Sequence, residues 1–447
     1  MKPSPPTPGD STQLRRAVTS SFLGSVIEYY DFLLYATASA VVFGEVFFSD
    51  LDPLAGTVAS FGTLATGYVA RPLGGVLFGH FGDRLGRKNM LVLSMVLMGV
   101  ASFLIGVLPS YANAGSLAPI ALVVLRVVQG VAVGGEWGGA VLMSAEHARK
   151  RRGLWASFTN AGAPCGMAVS TVVMSVTASA VGEAAFLAWG WRIPFLLSVV
   201  LLAVGLFVRL RVTETPVFTS AAAEEAPRRA PLLEVLRDQP RVLLLGVGVG
   251  LSAFVVQGTL TTFVISYAVQ AGFGRQTVLH ALTVSSTLAV AGILGWSAAS
   301  DRFGRRPVVA AGAVAVAAYS FVLFPLIDSG STALLVVAVV VGQSVLHPMM
   351  YGPLAALYAE LFATRSRYTG ASLGYQLAGL GAGFAPLIFA EAQALGGGTT
   401  AISLVIAAFC ALTVVCVLAL GETSRNELAA PAGAAPAGSH PEAREAV

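Results

Sequence analysis

Charged side chains are scarce in this chain: Asp, Glu, Lys and Arg make up only 11% of its 447 residues. A soluble globular protein carries roughly 25%. Too little polar surface remains to face water, so the exterior must face lipid. Cysteine is scarce too. Three are present, Cys165, Cys410 and Cys416, each inside an apolar run. An odd number without metal-like spacing argues against a disulfide framework or a zinc site, and they read as small, buried, reduced thiols. There is no Walker loop, no pair of histidines at metal spacing and no soluble stretch longer than 211–240. A membrane-embedded enzyme would need such a cluster or a soluble catalytic domain. The N-terminal stretch has no short apolar core followed by a cleavage site, so it does not read as a signal peptide. Residues 1–13 and the Ala/Pro-rich segment 422–447 are expected to be disordered.

What the chain has in abundance is apolar sequence, 55% of it. A helix needs about 20 mostly apolar residues to cross the hydrocarbon core. Runs of that kind fall near 18–43, 54–79, 90–108, 117–145, 155–178, 189–210, 242–268, 277–299, 308–327, 333–359, 370–393 and 400–420. They are uniformly apolar rather than alternating every second residue, which indicates helices and not barrel strands. The expected fold class is an all-α membrane protein of twelve spans. With the N-terminus in the cytosol, 23 of the 27 basic residues fall in cytosolic segments. The opposite orientation breaks the positive-inside rule in every loop. Both termini are therefore expected in the cytosol, and the protein in the cell inner membrane.

The sequence repeats itself. The loop after the second run reads Asp83-Arg84-Leu85-Gly86-Arg87-Lys88, and the loop after the eighth reads Asp301-Arg302-Phe303-Gly304-Arg305-Arg306. Asp301 lies 218 residues after Asp83. Glu146 and Gly153 frame a basic cluster after the fourth run, and Glu360 and Gly370 frame another after the tenth, at offsets of 214 and 217. Two unrelated loops repeating at nearly one offset indicate a duplicated unit of six spans. An even number of spans per unit makes the repeats parallel, with an axis along the membrane normal. The expected units are 14–210 and 241–421, joined by a cytosolic linker over 211–240.

At these residues the chain resembles the major facilitator superfamily, whose signature is a D-R-x-G-R-[RK] loop in both halves. More closely, it is similar to the metabolite:proton symporter family, which includes proline/betaine, shikimate, α-ketoglutarate and citrate transporters. The motifs that carry this likeness are Ile27-Glu28-Tyr29-Tyr30-Asp31-Phe32, Ala70-Arg71-Pro72-Leu73-Gly74-Gly75, the run from Arg126 through Gln129 and Gly130 to Glu136, Gly190-Trp191-Arg192-Ile193-Pro194-Phe195, and the stretch from Glu360 to Gly370. The likeness spans 15–425. There are departures: Ser297 stands where the first half has Gly79, Asn160 stands where the family pattern has Gln, and the long C-terminal coiled coil of osmosensing proline/betaine members is missing. The resemblance implies a secondary active transporter that rocks two bundles around a midplane site. It further implies that Asp83, Arg84, Arg87 and Glu146, with Asp301, Arg302, Arg305 and Glu360, latch the cytosolic side. Topogenic charge alone would account for the basic residues but not for the repeated Asp and Gly.

Ionisable residues at mid-bilayer cost roughly 2.5–3.5 kcal/mol each on insertion scales, so each one needs a reason. The first run carries Glu28 and Asp31 on one helix face, the fourth Arg126 and Glu136, the second Arg71, and the tenth His347. One reading of the arginine–carboxylate set is a static ion pair that fixes packing. The other starts from the count: three carboxylates face two arginines, so at least one acid lacks a basic partner. An unpaired carboxylate out of water holds a proton more readily. On that reading Asp31, Glu28 and Glu136 carry protons, and Arg126, less directly Arg71, meets a substrate carboxylate. Arg71 alternatively snorkels to the cytosolic end, and His347 is either a hydrogen-bonded pore residue or a proton relay. Tyr30, Gln129, Asn160, Gln257, Gln343 and Gln376 are further candidates for lining the cavity. The expected partners are protons, the lipid bilayer and a small organic acid or zwitterion, with no nucleic acid and no cofactor. The chain is expected to work as a monomer. A cysteine placed at position 275 is expected to react with an impermeant label from outside the cell and one at 228 is not; the reverse pattern would overturn the orientation.

Overall fold

The computed structural model describes residues 8–85, 87–148, 150–211, 231–362, 367–396 and 398–424, and among them there is no strand. With no water in the hydrocarbon to satisfy peptide groups, a helix is the way an open chain crosses it. Twelve long helices do so: α1 (Pro8–Val41), α2 (Pro53–Leu85), α3 (Arg87–Val107), α4 (Leu117–Gly134, continuing as Trp137–His147), α5 (Arg152–Val181) and α6 (Arg192–Leu196, continuing as Ser198–Arg211). The second set is α7 (Pro240–Gln270), α8 (Arg275–Phe303), α9 (Arg305–Asp328), α10 (Thr332–Leu361), α11 (Arg367–Ala394) and α12 (Thr399–Ala419). Eight of these are individually long and apolar enough to span, and α6 qualifies together with the bent segment Glu183–Gly190 before it. Leu117, Val176, Phe207, Leu244, Val314 and Val415 all point outward and are exposed, as a belt in contact with lipid acyl chains requires.

The duplication seen in sequence governs the packing. In the first half α1 packs on α5, α2 on α4, and α3 on α6. In the second half the same pairs recur six helices later, α7 on α11, α8 on α10 and α9 on α12. The halves meet along two seams, α5 against α8 and α2 against α11. Exchanging the halves turns one seam into the other, as a two-fold axis demands. The fold is therefore the all-α membrane architecture of two parallel-repeat six-helix bundles.

Three details differ from expectation. Helix α1 begins at Pro8, inside the stretch 1–13 expected to be disordered; proline at the first helical position costs no hydrogen bond and presets the backbone angle. Within 211–240, Pro231–Asp238 is helical. Glu422 and Thr423, expected to open a disordered tail, are held: Glu422 accepts from the backbone amides of Arg305 and Arg306 at 2.9 and 3.1 Å, and Thr423 donates to Glu360 at 2.9 Å. Burial pushes the Glu422 carboxyl up, but the amides of Arg305, Ser424 and Arg306 outweigh it and hold the group below its ordinary value. The carboxylate caps the start of α9, where unpaired amides favour negative charge. Residues 1–7 and 425–447 lie outside the described residues.

Glycine lets α2 and α4 touch backbone to backbone. A Cβ at Gly74 would strike the carbonyl oxygen of Val131, one at Gly130 that of Gly67, and one at Gly134 that of Arg71. Gly139, by contrast, faces only Tyr368 at an ordinary 3.5 Å. Replacing a helical glycine by alanine gains up to about 1 kcal/mol of helix propensity, whereas overpacking costs about 1–3 kcal/mol. Gly134→Ala is thus expected to lower the thermal midpoint of the detergent-solubilised protein, and Gly139→Ala to leave it unchanged or raise it. Equal midpoints for the two variants would refute this account of the seam.

Candidate functional site

The centre of the molecule holds two guanidinium groups out of water. Arg126, on α4, is fully buried, and Arg71, on α2, is 1% exposed. Space for the Arg126 stem comes from Gly67, where any side chain would collide with it. Both arginines use the ring of Phe32 on α1: the Arg126 guanidinium carbon lies 3.8 Å from its centroid and that of Arg71 4.9 Å. Tyr35 adds a second ring to Arg126 at 4.2 Å, and Tyr68 a second to Arg71 at 5.4 Å. Desolvating a guanidinium costs several kcal/mol, and a buried cation–π contact returns about 2. Glu28 adds an attraction to Arg71. Nε and Nη2 of both arginines nevertheless have no hydrogen-bond partner among the described residues. Four strong donors thus stand ready for an acceptor that the described side chains do not supply.

Asp31 stands apart from these donors. Glu28, Asp31 and Glu136 line a cavity of about 10 Å³, with Ser94, Met98 and Leu202 among the other walls, enclosed by α1, α3, α4 and α6. That is room for about one water. Asp31 accepts a hydrogen bond from Ser198 on α6. Arg126 makes no ion pair with Asp31; its Nη1 donates to Gln129 at 3.0 Å and more weakly to the Phe32 carbonyl at 3.5 Å.

A second cavity, about 20 Å³, lies between the halves and is lined by Gln257, Gln343, His347 and Tyr351, with Leu33 and Met167 opposite. Gln343 is tied to Ser285 and Ser286, each at 2.9 Å. His347 stacks on Tyr351 and lies 3.1 Å from the Ala253 carbonyl. A carbonyl only accepts, so Nε2 carries the hydrogen. Helices α7 and α10 each widen here into a π-helical turn, at Thr259–Phe263 and Val341–Leu346. Such turns are concentrated at functional sites. Neither was legible in the sequence.

An aromatic cluster that sequence reasoning also missed closes the centre. The hydroxyls of Tyr29 and Tyr351 each meet that of Tyr375, at 3.0 and 2.7 Å. Trp137 lies flat on the Tyr375 ring at 3.5 Å. Tyr29 and Trp137 belong to the first half, Tyr351 and Tyr375 to the second, so the cluster joins the halves. The available signal was adjacency, since Tyr29 and Trp137 neighbour Glu28 and Glu136. Asn160 is committed to this junction: it accepts from Trp137 Nε1 and donates to the Tyr351 carbonyl, both at 3.0 Å. Gln376 donates across the halves to the Gly134 carbonyl at 3.0 Å. Tyr30 points elsewhere, donating at 2.9 Å to the Pro194 carbonyl within the first half.

At the loop end of the α5–α8 seam the repeated motif forms a clamp. Asp301 accepts from the backbone amides of Gly153 and Leu154, at 2.7 and 3.0 Å. It pairs with Arg305 at 2.8 Å, and Glu360 pairs with both Arg305 and Arg152 at 3.2 Å. The carboxylate of one half therefore caps a helix of the other. The residue before α5, Arg151, has φ 53 and makes no side-chain cap of its own. A side chain at Gly153 would strike the Arg305 guanidinium. Arg302 stays outside the clamp, exposed beside Phe303. The side chains of Asp83, Arg84, Arg87 and Glu146 lie outside the described residues. At the other end Arg275 joins Glu45 and Glu183 of the first half, at 3.0 and 2.9 Å. Asp301→Asn is expected to slow transport several-fold with substrate affinity kept within about two-fold, because the clamp lies far from the arginines. Paired uptake and binding measurements check this. A loss of affinity as large as that of an Arg126 variant would place the loop in the binding site instead.

A family model described as Major Facilitator Superfamily matches residues 21–386. The shikimate transporter of Escherichia coli K12 is 37% identical over 420 residues, covering 93% of this chain and 96% of its own. The inner membrane metabolite transport protein YhjE of the same strain is 37% identical over 426 residues, covering 92% and 95%. The proline/betaine transporter of that strain is 33% identical over 399 residues, covering 85% and 78%. Among solved structures, a partially occluded inward open conformation of the xylose transporter XylE from E. coli superposes with a TM-score of 0.73 at 18% identity, covering 93% of this chain and 100% of that one.

Proposed function

The chain belongs to the major facilitator superfamily, and from that premise we propose that it takes up a small carboxylate-bearing metabolite together with protons, by alternating access. That it is a multi-pass membrane transporter follows from its relatives and its fold. The carboxylate and the proton are this proposal's own content. The observation that carries it is the pair of buried guanidiniums whose Nε and Nη2 donors have no partner among the described residues. A planar fork of N–H groups matches the two oxygens of a carboxylate. Asp31, with Glu28 and Glu136 beside it, supplies the proton site. Gln257, Gln343 and His347 line the opposite wall. Relatives named for shikimate and for proline/betaine support the class of cargo, since each of those solutes bears a carboxylate. The charge asymmetry of the sequence supports cytosolic termini, and we take a single chain as the working unit.

A second reading, an osmolyte symporter for proline or glycine betaine, has its own support. Tyr29, Tyr351, Tyr375 and Trp137 form an aromatic surface, and Arg71 feels the nearby Tyr29 and Tyr375. Aromatic faces attract quaternary ammonium groups, and a zwitterion would present both charges. The driving force differs between the two: a monoanion that enters with one proton moves no net charge and relies on the pH gradient alone, whereas a zwitterion with one proton carries one positive charge inward. One positive charge falling through 100 mV releases about 2.3 kcal/mol, enough for about fifty-fold accumulation.

Uptake into proteoliposomes from a panel of carboxylates, proline and betaine, with and without an acid-outside pH step, separates the two. Arg126→Lys keeps the charge and loses the fork, so uptake is expected to fall by more than about ten-fold with folded yield maintained. An equal loss of folded protein would indicate a packing role. Asp31→Asn, a permanent mimic of the protonated acid, is expected to abolish uphill uptake and retain exchange. Persistent accumulation in Asp31→Asn would move the proton site to Glu136.

A further inference from the structure

We infer that the cavity between the halves is a hydroxyl-recognising subsite, and that the cargo is a hydroxylated monocarboxylate whose charge meets the arginines and whose neutral body meets Gln257, Gln343 and His347. The inference rests on the carboxylate reading above and narrows it. It begins from Gln257 on α7, which is only 8% exposed and lines the cavity. Its side-chain amide makes no hydrogen bond among the described residues, and the nearby Thr261 hydroxyl goes to its backbone carbonyl instead, at 2.7 Å. A buried amide without a partner is costly, so this one calls for a polar occupant of the cavity.

Two neighbours on α10 share that chemistry. Gln343 is held in one orientation by Ser285 and Ser286, each at 2.9 Å, and its oxygen and nitrogen each keep one more bonding position. His347 gives its Nε2 hydrogen to the Ala253 carbonyl, which leaves Nδ1 as an acceptor with no partner among the described residues. An amide both gives and accepts, and a bare imidazole nitrogen accepts. A hydroxyl does both and so answers all three.

Charge narrows the occupant further. Among the described residues that line the cavity, none is Asp, Glu, Lys or Arg. A second carboxylate would enter with no counter-charge, and so would an ammonium. The Tyr351 ring already carries the His347 ring stacked on one face, 5.1 Å away. Leu33, Met167, Leu260 and Ile293 supply apolar wall. Such a lining suits a carbon frame that bears hydroxyls and no second charge. The arginines adjoin it through α1. Phe32, whose ring carries both guanidiniums, and Leu33, which lines the cavity, are successive residues. Their side chains point about 100° apart around the helix. A cargo held at the arginines by its carboxylate has its body pass Leu33 into this space once the halves part. Hydroxyls there replace bonds to water, whereas a bare frame leaves Gln257 unpaired. That asymmetry is what makes a hydrogen-bonding site selective.

The test titrates purified, detergent-solubilised protein by calorimetry with matched acids that differ only in hydroxyls or the carbon they sit on: shikimate against cyclohexene-1-carboxylate, quinate against cyclohexanecarboxylate, and gluconate against hexanoate. Succinate, proline and glycine betaine complete the panel. In at least one pair the hydroxylated acid is expected to bind about ten-fold or more tighter than the bare one, and tighter than succinate. Gln257→Met is expected to cut that ratio about five-fold or more, the loss of one hydrogen bond. His347→Phe keeps the stack on Tyr351, removes the acceptor and reads the same ratio independently. Bare acids that bind as tightly as their hydroxylated partners overturn the subsite while the carboxylate reading stands, as does succinate binding tightest. An unchanged ratio in both variants overturns it too, and so does an equal loss for both members of a pair, which assigns the residues to packing. A wild type that binds proline or betaine and none of the anionic acids overturns the carboxylate reading itself, and the subsite falls with it.

Discussion

Two guanidinium groups held out of water beside one phenylalanine ring set the terms for the rest of the molecule. Their desolvation is offset only in part by Phe32, Tyr35 and Tyr68. To hold them at all, α2 and α4 must approach backbone to backbone, which Gly67, Gly130 and Gly134 permit. The glycine pattern therefore serves the charges as much as the packing. It also makes the two halves unlike in chemistry despite their common architecture. The first half concentrates the fixed positive charge on α2 and α4. The second half offers neutral amides, His347 and two helices with π-helical turns. A rigid charged wall thus faces a wall whose helices are already locally unwound.

Part of the closure at each end rests on contacts of a kind that water can replace, beside the buried Glu360 pairs with Arg152 and Arg305. Asp301 caps α5 from the opposite half, and the first amides of a helix always need some acceptor. When the halves part, water can take that place. A hydrogen bond exchanged for one with water nets only about 0.5–1.5 kcal/mol. The ion pairs of Arg275 at the other end join acids that are mostly exposed, and such pairs are worth about 1 kcal/mol or less. The cavities of about 10 and 20 Å³ are too small for a metabolite, so opening must precede entry.

The architecture was legible in the sequence because two strong, redundant signals carry it. Apolar run length gives the spans, and the repeat of Asp83 and Glu146 at Asp301 and Glu360 gives the halves. The residues of the site were legible as a set but not as an arrangement. Glu28, Asp31, Arg71 and Arg126 stand out because charge inside lipid is costly wherever it points. Which of them touch depends on helix rotation, to which composition is blind, and the structure sends Asp31 to Ser198 rather than to Arg126. Ser198 itself carries no sequence signal, being one small polar residue in an apolar run. Tyr30 was taken with its motif although its neighbour Tyr29 is the one that reaches the second half. One helical position is 100° of rotation, and that difference decides between the junction of the halves and the interior of one bundle.

The separation of donors from acids bears on what kind of coupling this site can support. If a proton carrier and a cargo compete for one arginine, binding of either expels the other, and the two travel in opposite directions. Here Asp31 accepts from the Ser198 hydroxyl, and Arg126 keeps Nε and Nη2 without partners among the described residues. Both sites can therefore be filled at once, which co-transport in one direction requires. Simultaneous filling is necessary but not sufficient, because independent sites would let either solute cross alone. Some connection must make the doubly filled and doubly empty states the favoured ones. A direct Arg126–Asp31 contact would provide a strong connection at the expense of joint occupancy. If the site couples cargo to proton, the connection must therefore run through groups other than a direct Arg126–Asp31 pair.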